Sequence, residues 1–156
     1  MQVIKKKERI EIYIENIVYG GNGINKYPNE KNQNFVIFVK NAIEGQTVLA
    51  EITKSKPNYA EAKIIEVLKK SDFQKKRNYQ KISGAPYYDL DIEYQREKKK
   101  ELVIEVFQKI GHIDDIGKYY DDFIKSPKTW HYRNKMEYAF SSIIYDKNKK
   151  CDVDDF

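Results

Sequence analysis

Near Lys69–Arg77 the hydrophobic period of the chain changes, and that change restricts the fold more than any other feature. Before it, apolar residues recur at every second position. Ile10, Ile12 and Ile14 alternate with Glu11, Tyr13 and Glu15, which gives a strand one apolar face and one wet face. Phe35–Val39 is a second apolar run, and Val48, Ala50 and Ile52, then Ala60, Ala62 and Ile64, alternate again. Turn-forming residues separate the runs: Gly20-Gly21-Asn22-Gly23, where positive φ is tolerated, then Asn41–Gly45 and Ser55–Asn58. Roughly four or five short strands divided by turns predict a small closed or nearly closed β-barrel, since so few strands would otherwise leave open edges.

Beyond the change, Leu102, Val103, Val106, Phe107 and Ile110 fall at helical spacing, with Lys98, Lys99, Lys100, Glu101 and Glu105 mostly on the wet side. Asp91 as N-cap and Gly111 as stop signal bound a helix of about four to five turns. Strands are expected at Tyr120–Lys125 and Lys135–Tyr145. Tyr145–Lys150 reads as a polar hairpin turn followed by only six residues, so no return strand is expected. The fold class is therefore a β-barrel followed by a partial α+β domain, with residues 1–68 as the barrel, 69–88 as a basic connector and 89–156 as the second domain.

Composition narrows the partner. Up to Tyr88 there are 16 Lys or Arg against 9 Asp or Glu, and from Asp89 onward 13 against 15. The basic excess lies in the first half, which favours an anionic partner there. Cys151 is the single cysteine, so no intramolecular disulfide can form and no cysteine cluster can hold zinc or iron–sulfur. No apolar run approaches the ~18 residues that a membrane-spanning helix needs. The basic start of the chain, Lys5-Lys6-Lys7, has no signal-peptide core behind it. A cytoplasmic location is expected.

Several segments resemble a known family. Ile10–Asn16, Tyr19-Gly20-Gly21-Asn22-Gly23, Phe35–Val39 and Ala42–Val48 resemble a TRAM domain, a small barrel of the OB type that its family uses to hold RNA. Tyr94–Lys100, the helix to Ile110-Gly111, Ser126-Pro127 and Trp130–Tyr138 resemble the central domain of tRNA and rRNA (uracil-5-)-methyltransferases, and the Tyr-Arg-Asn-Lys-Met-Glu segment is the most specific of these. The resemblance implies chemistry with S-adenosylmethionine: a cysteine adds to carbon 6 of the uracil, carbon 5 takes the methyl group, and a glutamate removes the proton. The catalytic Cys and Glu have no matching positions in this sequence. It also shows no Gly-rich strand-to-helix turn and no Asp-Pro-Pro segment. S-adenosylmethionine is accordingly expected only on a domain outside these residues. Where many family members carry a Cys-x-x-Cys cluster, this chain reads Tyr79–Tyr87 without cysteine, and no iron–sulfur cluster is expected.

The resemblance points to an RNA-gripping portion of a uracil-5 RNA methyltransferase acting on rRNA or tRNA, inactive alone and served by a separately encoded or adjoining catalytic domain. Two other readings stay open: a stand-alone RNA-binding module associated with translation, and a nonfunctional truncated remnant. Lys26, Tyr27, Lys54, Lys56, Tyr59 and Lys63 are the candidate RNA contacts on the barrel, where cations and stacking rings would combine. Their bland reading is a solvated lysine-rich surface. In the second domain Arg133, Asn134 and Lys135 are candidates, as a planar donor fork, a base-edge partner and a mobile charge. They serve equally well as braces at the start of a strand. The glycine turn offers close approach to a phosphate or simply a tight turn, and the basic stretch Lys69-Lys70 with Lys75-Lys76-Arg77 offers phosphate contacts or simply a solvated linker.

Overall fold

The computed structural model describes residues 4–27, 35–75, 85–130, 132, 135 and 137, and the backbone of Ile143–Asp146 and Cys151–Asp154. The chain divides into two compact units, Met1–Phe123 and Ile124–Phe156. The expected boundaries at 68/69 and 88/89 both fall inside the first.

In that unit the first apolar run forms two strands, β1 (Arg9–Tyr13) and β2 (Asn16–Ile17), joined by a bend at Ile14–Glu15. They are followed by β3 (Gly23–Lys26), β4 (Val36–Lys40), β5 (Thr47–Ser55) and β6 (Tyr59–Lys69). The sheet order is β1-β5-β6-β4-β3-β2, with β4 and β6 parallel and the other pairs antiparallel. The bend closes the curl. Ile14 N–H donates to the Gln46 carbonyl at 2.8 Å, on the β5 side, and the next residue, Glu15, donates to the Ile24 carbonyl at 2.8 Å, on the β3 side. One continuous run of backbone thus joins both ends of the sheet, and the result is the expected OB-like barrel. β3 escapes the periodic pattern because it carries a single apolar residue, Ile24.

The barrel interior is filled by the inward-pointing residues of each strand. Ile12, Ile14, Ile37, Val39, Val48 and Ile52 interleave with Ala50, Ala60 and Ala62 in one buried cluster. The small residues lie beside large ones in register, Ala60 beside Ile37 and Ala62 beside both Val39 and Ile52. A narrow barrel needs this alternation to fill its volume without clashes. Gly23 belongs to the same packing: a Cβ there would lie 2.7 Å from Ile14 Cγ2 and 2.8 Å from Ala42 Cβ.

Residues 71–75 and 85–91 do not hang free as a linker. The Gln46 amide, itself buried, donates to Gln74 Oε1 at 2.9 Å, and Gln74 bridges to Leu90. Ile17, Ile43 and Leu90 form a second small core, with Tyr87 and Tyr94 against it. The helix α1 (Ile92–Lys109) starts at Asp91, whose carboxylate accepts from the Glu93 N–H at 3.0 Å, and Gly111 follows its end, as expected. The burial of the helix departs from expectation. Leu102 is buried, but Val103, Val106, Phe107 and Ile110 remain exposed, while Lys98, expected on the wet side, is 8% exposed. Lys98 can be buried because Glu44 on the barrel and Glu101 on the helix flank its ammonium at 2.8 and 2.9 Å.

After α1 comes a 3-10 turn, Ile116–Tyr119. The strand expected at Tyr120–Lys125 is absent. The adjacent charges Asp121 and Asp122 break any alternation, and the segment gains no strand partner among the described residues. In the second unit β7 (Ile143–Asp146) pairs antiparallel with β8 (Cys151–Asp154), Ile143 opposite Asp154 and Asp146 opposite Cys151. The hairpin therefore has the return strand that the sequence argued against, since four residues suffice for it. The rest of the expected strand Lys135–Tyr145 lies largely outside the described residues.

Candidate nucleic-acid interface

The alternation that fills the barrel also turns a set of side chains outward from β3, β4, β6 and β5, and the strand register sorts them into three rungs. In the first, Lys26 lies opposite Val36, and Val36 opposite Tyr59. The second runs from Ile24 through Phe38 and Glu61 to Lys54. The third runs from Lys40 through Lys63 and Glu51 to Arg9. Four of the six expected barrel contacts, Lys26, Lys54, Tyr59 and Lys63, thus share one face. Lys56 sits in the β5–β6 turn, where its N–H donates to the Tyr59 carbonyl at 2.8 Å, and Tyr27 follows β3 as an exposed residue.

The centre of the face is aromatic. Phe38 and Tyr59 meet edge-on, with ring centroids 5.9 Å apart and planes at 78°. Lys54 Nζ stands 5.7 Å from the Tyr59 centroid. Carboxylates hold some of the cations: Lys54 pairs with Glu61 at 2.8 Å, Lys63 with Glu51 at 2.9 Å, and Arg9 with Glu51 at 3.9 Å. The hydrogen bond from Lys63 holds the Glu51 carboxyl below its ordinary range, against a smaller opposing effect of burial, with Arg9 and Lys7 adding to the shift. The hydrogen bonds of Lys54 to Glu61 and to Tyr59 push its ammonium pKa up. Five cations face two carboxylates on the three rungs, so the patch stays positive after its internal pairs form. Lys26, Lys40 and Lys56 make no ion pair among the described residues.

A hollow of about 250 Å³ lies on this face, between Asn22, Phe38, Lys40, Thr53, Glu61 and Lys63. Phe38 and Lys40 were missed by reading Phe35–Val39 as one apolar run. The finer signal is the strict alternation within Val36–Lys40, which sends Ile37 and Val39 inward and leaves Val36, Phe38 and Lys40 on the other side.

The glycine turn does structural work. Gly20 and Gly21 have φ of +89° and +78°, and a Cβ on Gly21 would lie 2.2 Å from Pro86 Cβ. The Gly21 N–H already donates to the Val18 carbonyl at 2.9 Å. The turn leads from β2 into β3. In the basic stretch, Lys75 is tied to Asp91 at 3.6 Å, and Lys76 and Arg77 lie outside the described residues. So do Arg133 and Asn134. Lys135 is exposed and pairs with Glu137 at 3.0 Å. No group of three or more His, Cys, Asp or Glu suited to a metal ion exists among the described residues, and no helix there is long and apolar enough to cross a membrane.

The chain is similar to several known proteins. Residues 5–65 match the TRAM domain family. A protein of Clostridium tetani described as an uncharacterized RNA methyltransferase is 34% identical over 146 residues, covering 90% of this chain and 30% of the relative. A second uncharacterized RNA methyltransferase, from Clostridium acetobutylicum, is 32% identical over 137 residues, covering 86% of this chain and 29% of the relative. The solution structure of a conserved protein from Methanococcus maripaludis aligns with a TM-score of 0.36 and 27% identity, over 42% of this chain and 87% of that one. The chain thus spans less than a third of the length of the curated relatives it matches.

Proposed function

We propose, for a chain that carries a TRAM domain and is homologous over most of its length to RNA methyltransferases, that its barrel grips the RNA substrate of an S-adenosylmethionine-dependent uracil-5 methyltransferase. The observation that carries this reading is the outward face of β3, β4, β6 and β5, where Phe38 and Tyr59 sit among Lys26, Lys40, Lys54 and Lys63. Cations that track phosphates and rings on which bases stack are what an OB-type barrel needs to hold an RNA strand. The substrate is rRNA or tRNA, the protein works in the cytoplasm, and Arg133, Asn134 and Lys135 make a second contact with it. In this reading residues 1–156 serve the grip on RNA rather than methyl transfer. That step and its S-adenosylmethionine belong to a separate catalytic domain.

The test is fluorescence anisotropy of a labelled RNA stem-loop titrated with this chain at several salt concentrations. Lys26, Lys40 and Lys56, cations on or beside this face that make no ion pair among the described residues, set a minimum for the salt dependence. At about 0.7 counterion per single-strand phosphate contact, the plot of log K against log salt has a slope near −2 or steeper. Absence of binding even at low salt would sink the reading. Incubation with labelled S-adenosylmethionine and RNA is expected to leave the RNA unlabelled.

A further inference from the structure

The hollow beside Phe38 asks what its polar rim is for. Phosphate capture alone would need only cations, yet Asn22 and Glu61 line it together with Lys40 and Lys63. At about 250 Å³ the hollow falls below the ~300–1,000 Å³ of sites that enclose whole ligands, so it suits one flat group rather than a cofactor. Phe38 forms one wall, its ring fixed by the edge contact with Tyr59. The Glu61 carboxylate uses Oε1 for Lys54 at 2.8 Å, and its other oxygen accepts no hydrogen bond from the described residues. The backbone of Asn22 is fixed, its carbonyl accepting from the Val18 N–H at 2.9 Å, while its side-chain amide has no hydrogen-bond partner among the described residues.

Resting on the RNA-binding reading above, we propose that this hollow is a one-base subsite for single-stranded RNA, selective for a base that carries an exocyclic amino group over uracil. A base stacks on Phe38, its amino group donates to the free oxygen of Glu61, and Asn22 pairs with the neighbouring ring atom. Carboxylates accept from the amino group of cytosine and amide side chains pair with adenine, whereas uracil offers carbonyl oxygens where these bases offer amino donors. Lys40 and Lys63 take the flanking phosphates. Lys54 keeps Glu61 from repelling the strand, because it already neutralises that carboxylate. A duplex cannot use the site, since its bases stack on one another and present no free face to Phe38.

Labelled hexaribonucleotides of cytosine, adenine and uracil, and a duplex, are titrated at low salt with the wild-type chain and with Phe38→Ala, Phe38→Tyr and Glu61→Gln. Wild-type is expected to bind the cytosine and adenine strands several-fold more tightly than the uracil strand or the duplex. Phe38→Ala weakens binding of the single strands about ten-fold, the worth of one base stack, and Phe38→Tyr restores it. Glu61→Gln brings the cytosine and uracil strands to near equality while leaving thermal unfolding unchanged, so it decides the matter even if Phe38→Ala fails to fold. Equal binding of all strands by wild-type, or an unchanged base preference in Glu61→Gln, overturns the subsite and leaves the RNA-gripping face standing. No binding of any RNA overturns both.

Discussion

The barrel interior and the seat of the helix are both buried, yet they are built from opposite materials. Inside the barrel, Ile12, Ile14, Ile37, Val39, Val48 and Ile52 cluster with one another and with small alanines. At the seat, the apolar contact shrinks to Ile17, Ile43 and Leu90, and a buried ammonium, Lys98, joins helix to barrel through Glu44 at 2.8 Å. Asn16 Oδ1 lies 3.4 Å from the same nitrogen, and the Tyr94 ring centroid 5.5 Å away. Apolar packing is indifferent to pH and tolerates no void. An ion pair fixes one docking geometry but depends on both partners keeping their charge. The barrel is thus unconditional and the joint conditional.

Ile37→Ala should have the largest effect on stability. The side chain is fully buried, and loss of three carbons leaves a void in a rigid barrel, costing about 2–5 kcal/mol. Urea denaturation followed by circular dichroism would register it as a lowered midpoint for the whole unit. An interior that absorbed the change for under about 1 kcal/mol would mean that the barrel is looser than its alanine-for-isoleucine packing implies.

Lys98→Met should come next, and its effect should be local. Removing one partner of a buried pair costs about 3–5 kcal/mol when both are fully desolvated. Here the Glu44 side chain keeps 19% exposure, so about 2 kcal/mol is expected. Hydrogen exchange should quicken along α1 while the amides of β4–β6 stay protected, and adding Glu44→Gln should recover part of the loss. The pH dependence follows from the same groups. Burial alone would lower the Lys98 pKa, but Glu44 and Glu101 outweigh it and the net shift is upward. The Tyr94 phenol is raised by its burial and by the Glu44 carboxylate. Both groups therefore hold their protons more tightly in the folded protein. The stability they contribute is complete below their ordinary values of about 10 and is lost as pH rises through the folded values above that. Alkaline titration should release α1 before it unfolds the barrel.

The contrast also explains what the sequence made legible. The barrel could be read because Ile10, Ile12 and Ile14, and again Val48, Ala50 and Ile52, announce which face is dry by period alone. The ends of α1 were legible through Asp91 and Gly111, whose chemistry is local. The seat was not, because a lysine is buried only if a carboxylate from elsewhere meets it, and nothing near Lys98 in sequence names Glu44. Assigning Val103, Val106, Phe107 and Ile110 to a dry face failed for the complementary reason: an apolar stripe records what a helix can bury, not whether a partner lies against it. On the outer face, Lys26, Lys54, Tyr59 and Lys63 were singled out one by one as cations and rings, but only the register shows that they share rungs with Phe38 and Lys40.

That face is a third kind of region, and the smallest stability effect belongs there. Lys40 is exposed and makes no ion pair among the described residues, so Lys40→Ala should change stability by no more than about 0.5 kcal/mol. Its effect on RNA should be out of proportion to this. Loss of one phosphate contact weakens binding for all sequences alike and flattens the slope of log K against log salt by roughly 0.7 to 1. If the variant instead loses stability and keeps its affinity, the rungs of alternating charge serve to hold the strands together. If stability is untouched and the salt slope falls, charges that contribute almost nothing to the fold are there for a partner that the fold alone does not require.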